Sequence, residues 1–376
     1  MSPVGSVNDD VINRQIDRIQ REGLAGLLAM SPENFAYLAG FAVPSQEPLR
    51  WRHAAVAVAA DGTIAVMCVD MEETTVRAKL PDADIYVWQE FRYNAIDVLT
   101  TMLKDLGMAE GRLGVETDYL PAKDFQALDE ALPQVTLVPC EQILARSRMI
   151  KTPREVELIR DLSRRTDAAL AHAFASVGRG STELDLAGAA VTALFANGID
   201  RERGMVTASG DRSHFPNVRA TDRKLTEGDV VRLEIFGVQQ GYHSGICRSG
   251  VVGQVPADPA RVWETLADCR RIVLDTLRPG VTASDVYRAY LDRFATLGYD
   301  PISFVGHGIG VHLHEEPYLG LGDDTVIEAG MVLGIEPLLY LPGHFGLQIK
   351  DTVHVTPDGA EVLSDVMDPE QLAVIA

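Results

Sequence analysis

Gly306-His307-Gly308-Ile309-Gly310-Val311-His312-Leu313-His314-Glu315-Glu316-Pro317 places three imidazoles and two carboxylates in a run that opens as a glycine-rich turn and continues as a strand. Ionisable side chains where the local pattern asks for apolar ones mark a site. The glycines flanking His307 suit close approach of backbone to a ligand, and His312 and His314 alternate onto one strand face. Two more stretches show the same conflict. One runs Gly228 to Gly237 and on through Gly241 to Arg248, carrying Glu234, His243 and Cys247; the other pairs Gly330 to Pro337 with Gly346 to Asp351, carrying Glu336 and Lys350.

Outward from these stretches, the spacing predicts an α+β domain over 149–376. Pro153, capped by Thr152, opens a helix to about Val177, and Thr182 opens another to Ala196. Strands are expected from Val206 onward, at Val230 to Val238 and Gly241 to Val252, then helices at Asp258 to Leu277 and Ala283 to Leu297, then strands at Val332 to Leu341 and Gly346 to Thr356. Before the connector Arg148 to Pro153, residues 1–148 read as a smaller α/β domain with a mixed sheet. It starts with a helix from Asp9 to Arg21 and a strand from Ala25 to Met30. Strands follow at Ala54 to Ala59, Ile64 to Val69, Ile85 to Trp88, Leu113 to Glu116 and Val135 to Pro139, with helices at Asn94 to Leu106 and Asp124 to Leu132. No internal repeat shows at short periods.

With 46% hydrophobic residues, the 376-residue chain can bury large cores. Its net charge of −20 argues against nucleic acid or an anionic membrane as partner. No apolar run approaches the roughly 20 residues of a membrane span. Cys68, Cys140, Cys247 and Cys269 are scattered without metal or redox spacing, and the leading MSPVGSVNDD lacks the pattern of a signal peptide, so a cytoplasmic protein is expected.

In order and spacing, the three stretches resemble the creatinase/prolidase/methionine aminopeptidase family, whose pita-bread fold the second domain is expected to share, with the first domain similar to the creatinase/prolidase N-terminal domain. In metal-dependent members the ligands are two Asp, a His and two Glu, and the resemblance carries those positions onto Glu234, Gly245, His307, Glu336 and Lys350. Gly245 offers no side-chain ligand. A protonated Lys350 at 4 Å and an effective ε of 20 would repel a divalent ion by about 8 kcal/mol, taking ~4 for each unit charge. Two ions are therefore not expected. The Lys350 ammonium is expected instead to pair with Glu234 or Glu336.

The stretch from Glu234 to His243 looks more like the metal-independent members, creatinase and ectoine hydrolase, than like a peptidase. The resemblance thus implies a metal-independent homodimeric hydrolase, with no cofactor, that cleaves a carbon–nitrogen bond of a small carboxylated substrate such as an amidine, guanidine or cyclic amide. Without a metal, a His and a buried Glu supply base and acid. His307 and Glu336 are the expected central pair, with Glu234 and Lys350 tuning charge. Substrate contacts are expected from His314, from His243, and from Asn217 and Cys247, which stand where creatinase has catalytic groups of its own. Cys247 also reads as a small buried hydrophobe. Arg52 matches an arginine that in creatinase reaches the partner subunit's site; it reads equally as part of a solvated loop. The alternative is an Xaa-Pro type metallopeptidase holding one ion on Glu234, His307 and Glu336.

Overall fold

The structure, a computed structural model, describes residues 8–376; the leading residues 1–7, read above against a signal peptide, lie outside them. The chain divides into two compact units, the first ending at Arg148 and the second starting at Met149.

The first unit opens on α1 (Asn8–Arg21), whose Val11, Ile12 and Ile19 face inward, and Gly23 ends it in the left-handed region that glycine tolerates. Then come β1 (Gly26–Ala29), α2 (Pro32–Ala39), β2 (Ala55–Ala59), β3 (Ile64–Val69), α3 (Glu73–Lys79), β4 (Asp84–Trp88), α4 (Ala95–Asp105), β5 (Gly111–Val115), α5 (Ala122–Ala131), β6 (Val135–Pro139) and α6 (Glu141–Met149). The strands form one mixed sheet in the order β4-β3-β2-β1-β5-β6, with β1 and β2 antiparallel and β1 and β5 parallel. Since α6 continues to Met149, the connector to the second unit is shorter than the sequence suggests.

In the second unit, α7 (Pro153–Ala175) starts at a capping box in which Thr152 and Glu155 exchange hydrogen bonds with each other's backbone. After α8 (Glu183–Ala196) come β7 (Arg201–Ser209), β8 (Val230–Gln239) and β9 (Tyr242–Val252). Next are α9 (Ala257–Thr276), α10 (Ala283–Phe294), β10 (Phe304–Gly308), β11 (Glu315–Gly320) and β12 (Val332–Ile335). The unit closes with β13 (Leu338–Leu341), β14 (Phe345–Gln348), β15 (Asp351–Thr356), β16 (Gly359–Val362) and β17 (Ala373–Ile375). Glu336 and Pro337 split the long strand expected at 332–341 into β12 and β13.

Two larger sheets result, β17-β9-β8-β7 and β11-β10-β12-β15-β16, beside the two-stranded sheet β13-β14. The first shares an apolar core with α7 and α8, the second with α9 and α10. The halves echo each other: Gly180 and Gly280 both have positive φ, and Thr182 and Thr282 each open a helix through a capping box closed by Asp185 and Asp285. Among the described residues no helix is long and apolar enough to cross a membrane.

A buried charge network links the two halves. The Arg248 guanidinium lies 3.3 Å from Asp167 of α7 and 2.8 Å from Asp351 of β15, and Asp351 also takes Arg270 of α9. Breaking a buried pair leaves charge unpaired, so Arg248→Met is expected to lower stability by about 3–5 kcal/mol in urea unfolding. A loss under about 1 kcal/mol would contradict this role.

Candidate active site

The expected Lys350 pairing is present, and it takes both carboxylates. Strand β8 alternates Arg232, Glu234 and Phe236 onto one face, and in register on β9 Glu234 stands opposite Cys247 while Phe236 stands opposite Gly245. Cys247 and Lys350 exchange backbone hydrogen bonds of 3.2 and 3.0 Å, which delivers the Lys350 side chain to Glu234. Its Nζ lies 3.1 Å from Glu234 Oε1 and 3.2 Å from Glu336 Oε2. The ammonium also stands 5.3 Å from the centroid of the Phe236 ring, a cation–π arrangement.

Glu336 has two differently occupied oxygens. Oε2 receives Lys350 and the Gln348 side-chain amide at 3.2 Å, whereas Oε1 faces His307 Nε2 at 3.6 Å. His307 reaches this position because β10 crosses β12 with His307 opposite Gly334. A Cβ at Gly334 would lie 3.3 Å from the imidazole, so only glycine leaves that ring comfortable room. His307 Nδ1 is 2.8 Å from the Gly308 carbonyl, which assigns its proton there and leaves Nε2 as a buried lone pair without a hydrogen-bond partner. The His314 ring stacks on His307 at 3.6 Å and is exposed. Donor atoms of His307, His314 and Glu336 all lie within 4.8 Å of one another.

Burial, reinforced by the Lys350 charge, holds His307 well below the usual histidine range, and the same causes bring His314 to about 4. Both are neutral imidazoles near pH 7. Burial raises the Glu336 carboxyl above its ordinary value, with Lys350 and Gln348 opposing and Glu234 adding. For Lys350 burial works the other way, but Glu336 and Glu234 outweigh it and keep the ammonium charged. With the buried Arg232 guanidinium on the same strand face as Glu234, two acids meet two cations in this core.

Sequence reasoning missed Arg232 and Gln348. The fully buried Arg232 guanidinium donates to Gln348 Oε1, to the Tyr340 hydroxyl and to the Phe215 and Pro216 carbonyls, and it lies over the Tyr340 ring. It thereby turns the Gln348 amide so that its NH2 meets Glu336. An Arg within the apolar run Val230-Val231-Arg232-Leu233 was the available signal.

The other candidates are placed less centrally. Asn217 is exposed just beyond the carbonyls that Arg232 holds. Cys247 is fully buried with its thiol pushed well up by burial, which fits the small buried hydrophobe rather than a substrate contact. His243 is buried against Gly310, with its backbone NH donating to that carbonyl at 2.7 Å and its Nδ1 at 3.2 Å. Arg52 is in the first unit, where Glu90 grips its guanidinium through both oxygens at 3.0 and 2.8 Å while accepting from Trp51. It is neither free nor merely solvated.

Paired sheets that gather an imidazole and two carboxylates, with an α/β unit ahead of them, define the creatinase/prolidase architecture. The chain belongs to metallopeptidase family M24: that family's pattern matches residues 157–357, and the creatinase/prolidase N-terminal domain matches residues 12–150. Probable dipeptidase PepE of Mycobacterium tuberculosis is 34% identical over 262 residues, 69% of this chain and 69% of the relative. An Xaa-Pro dipeptidase from Bacillus anthracis superposes with a TM-score of 0.84 at 25% identity, covering 97% of this chain and 99% of its own. Dipeptidase PepE from Mycobacterium ulcerans gives 0.83 at 28% identity, covering 98% of each chain.

These findings overturn the expected metal-independent, creatinase-like hydrolase of an amidine, guanidine or cyclic amide. The relatives are named as dipeptidases, and the family is one of metallopeptidases. The two-ion donor set nevertheless does not fit this chain's residues. Gly245 supplies no donor, and a Cβ there would meet the Phe236 ring at 3.1 Å and Lys350 Cε at 3.4 Å.

His243 provides a pH test. Burial, partly offset by the Gly310 carbonyl, lowers it from 6.5 to about 4. As pH falls below 6.5 the unfolded chain takes up a proton that the folded chain refuses until about 4, so stability present above 6.5 is lost across that window, about 3 kcal/mol in all. His243→Gln should flatten the fall in Tm between pH 6.5 and 4; an unchanged slope would contradict the assignment.

Proposed function

We propose that this protein hydrolyses the peptide bond of a short peptide, of the dipeptide or Xaa-Pro type. The observation that carries the reading is the pair His307 Nε2 and Glu336 Oε1, facing each other at 3.6 Å with the exposed His314 ring beside them. The dipeptidase names of relatives that align along the whole chain support it.

In this reading Glu336 Oε1 takes the proton of the attacking water. Its raised pKa makes it a stronger base than an exposed Glu, and the protonated carboxyl then hands the proton to the departing amine. His307 Nε2 accepts a hydrogen bond and holds that water in line. Lys350 keeps the charge of Glu234 and of Glu336 Oε2 balanced, so Oε1 is the oxygen left for chemistry. His314 meets the substrate at the mouth. A divalent cation bound beside these groups would polarise the scissile carbonyl.

A panel of dipeptides, with Xaa-Pro members included, tests the reading, assayed with added Mn2+, Co2+ or Zn2+ and again after chelation. Turnover is expected, and Glu336→Gln or His307→Ala should each lower kcat/KM by about 10²-fold or more. The absence of cleavage of every peptide under every condition would end the proposal.

A further inference from the structure

Resting on the peptide hydrolysis proposed above, we propose that the cavity outside β11 receives the side chain of the substrate's amino-terminal residue and is shaped for a long cationic one, lysine or arginine. The cavity holds about 500 Å³, the size of a small-molecule site. It lies against Phe304 of β10 and Glu316, Tyr318 and Gly320 of β11, with Asp323 in the turn that follows.

Strand alternation puts this cavity on the side of the reaction centre. Val305 and Leu319 turn into the core shared with α9 and α10, so their neighbours Phe304, Tyr318 and Gly320 turn the other way. The Phe304 ring stands edge-on to His307 and His314 at 6.4 and 6.3 Å. The Tyr318 ring lies 6.3 Å from Phe304 and 6.4 Å from His314. A side chain leaving a peptide held at His314 therefore meets two aromatic walls. Phe304 pairs with Gly320, where a Cβ would lie 2.7 Å from the Ser303 carbonyl, so the floor beneath the ring is bare backbone.

Charge decides which side chain fits. Glu316 and Asp323 belong to the lining, and none of the lining residues is basic. Burial, and then the charges of Glu316 and Glu315, raise the Tyr318 hydroxyl above its ordinary value, which marks a negative field along that wall. Asp323 accepts the Tyr318 and Thr325 backbone NH groups at 2.8 and 2.9 Å, which fixes its charge at the rim. The neighbouring cations are bonded elsewhere: Arg288 of α10 to Ser284 and Asp285, Lys350 to Glu234 and Glu336, and Arg232 to Gln348. A lysine or arginine stem packs on the two rings while its charge gains from the ring faces and the acids. A neutral side chain of equal length gains the packing alone, and an acidic one is repelled.

The test uses the full chain and two peptides alike in length but not in charge, Lys-Pro and norleucine-Pro, with Glu-Pro as the opposite sign. kcat/KM for Lys-Pro is expected to exceed that for norleucine-Pro about tenfold or more, with Glu-Pro the poorest. Glu316→Gln should shrink the lysine-to-norleucine ratio about fivefold or more, through KM rather than kcat. Non-cleavable reduced-bond analogues of the same peptides, measured by calorimetry, should show the same order of affinity without turnover. If no peptide is cleaved and the lysine analogue still binds tighter by that factor, the proposed hydrolysis fails and the subsite stands. Equal kcat/KM or equal affinity for the lysine and norleucine compounds, or an unchanged ratio in Glu316→Gln, would overturn the subsite.

Discussion

One ammonium between two buried carboxylates organises the second unit. Lys350, Glu234 and Glu336 are almost wholly shielded from water, and each ion taken out of water costs several kcal/mol unless its partners are well placed. The surroundings answer that demand. Gln348 donates to the Glu336 oxygen that Lys350 also touches, Arg232 orients Gln348, and the Phe236 ring faces the ammonium. The neighbouring Asp351 turns to the opposite face, as strand alternation requires, and feeds Arg248 and Arg270 instead. Two successive residues thus anchor two separate charge networks, one joining Glu234 to Glu336 and one tying the helices to the sheets.

Much of this was legible along the chain. A helix whose apolar residues repeat on one face behind a Thr cap, such as α7, announces itself. So does β1, a short apolar run between the stop at Gly23 and Ser31-Pro32. Helix α2 does not, because Asn34 to Ala39 are all buried and no polar face sets a period; Ser31 as cap and Pro32 after it were the only signal. The likeness of Gly180-Ser181-Thr182 to Gly280-Val281-Thr282 also escaped, since a search at short periods cannot meet two halves so far apart.

At the site, His307, Glu336, Glu234 and Lys350 converge because each sits on a motif position. Arg232 and Gln348 stayed hidden because their roles depend on the register of the β13–β14 hairpin, where Gln348 pairs with Leu338 next to Glu336 and Pro337. Arg52 was drawn toward a substrate carboxylate since nothing nearby in sequence suggested that Glu90 holds it. The chemistry went astray for a related reason: a few motif residues inclined the reading to creatinase, whereas similarity along the whole chain lies with dipeptidases.

The cross-strand pairing of Phe236 with Gly245, with Lys350 beside both, has a consequence for substitution. A carboxylate introduced at 245 alone would collide with the ring and then meet the ammonium. A carboxylate at 350 alone would crowd three acids with no cation among them, and a smaller residue at 236 alone would open a void beside a buried charge. Each of these single changes is unfavourable by itself, so the three positions are coupled and a two-ion donor set would require them to change together.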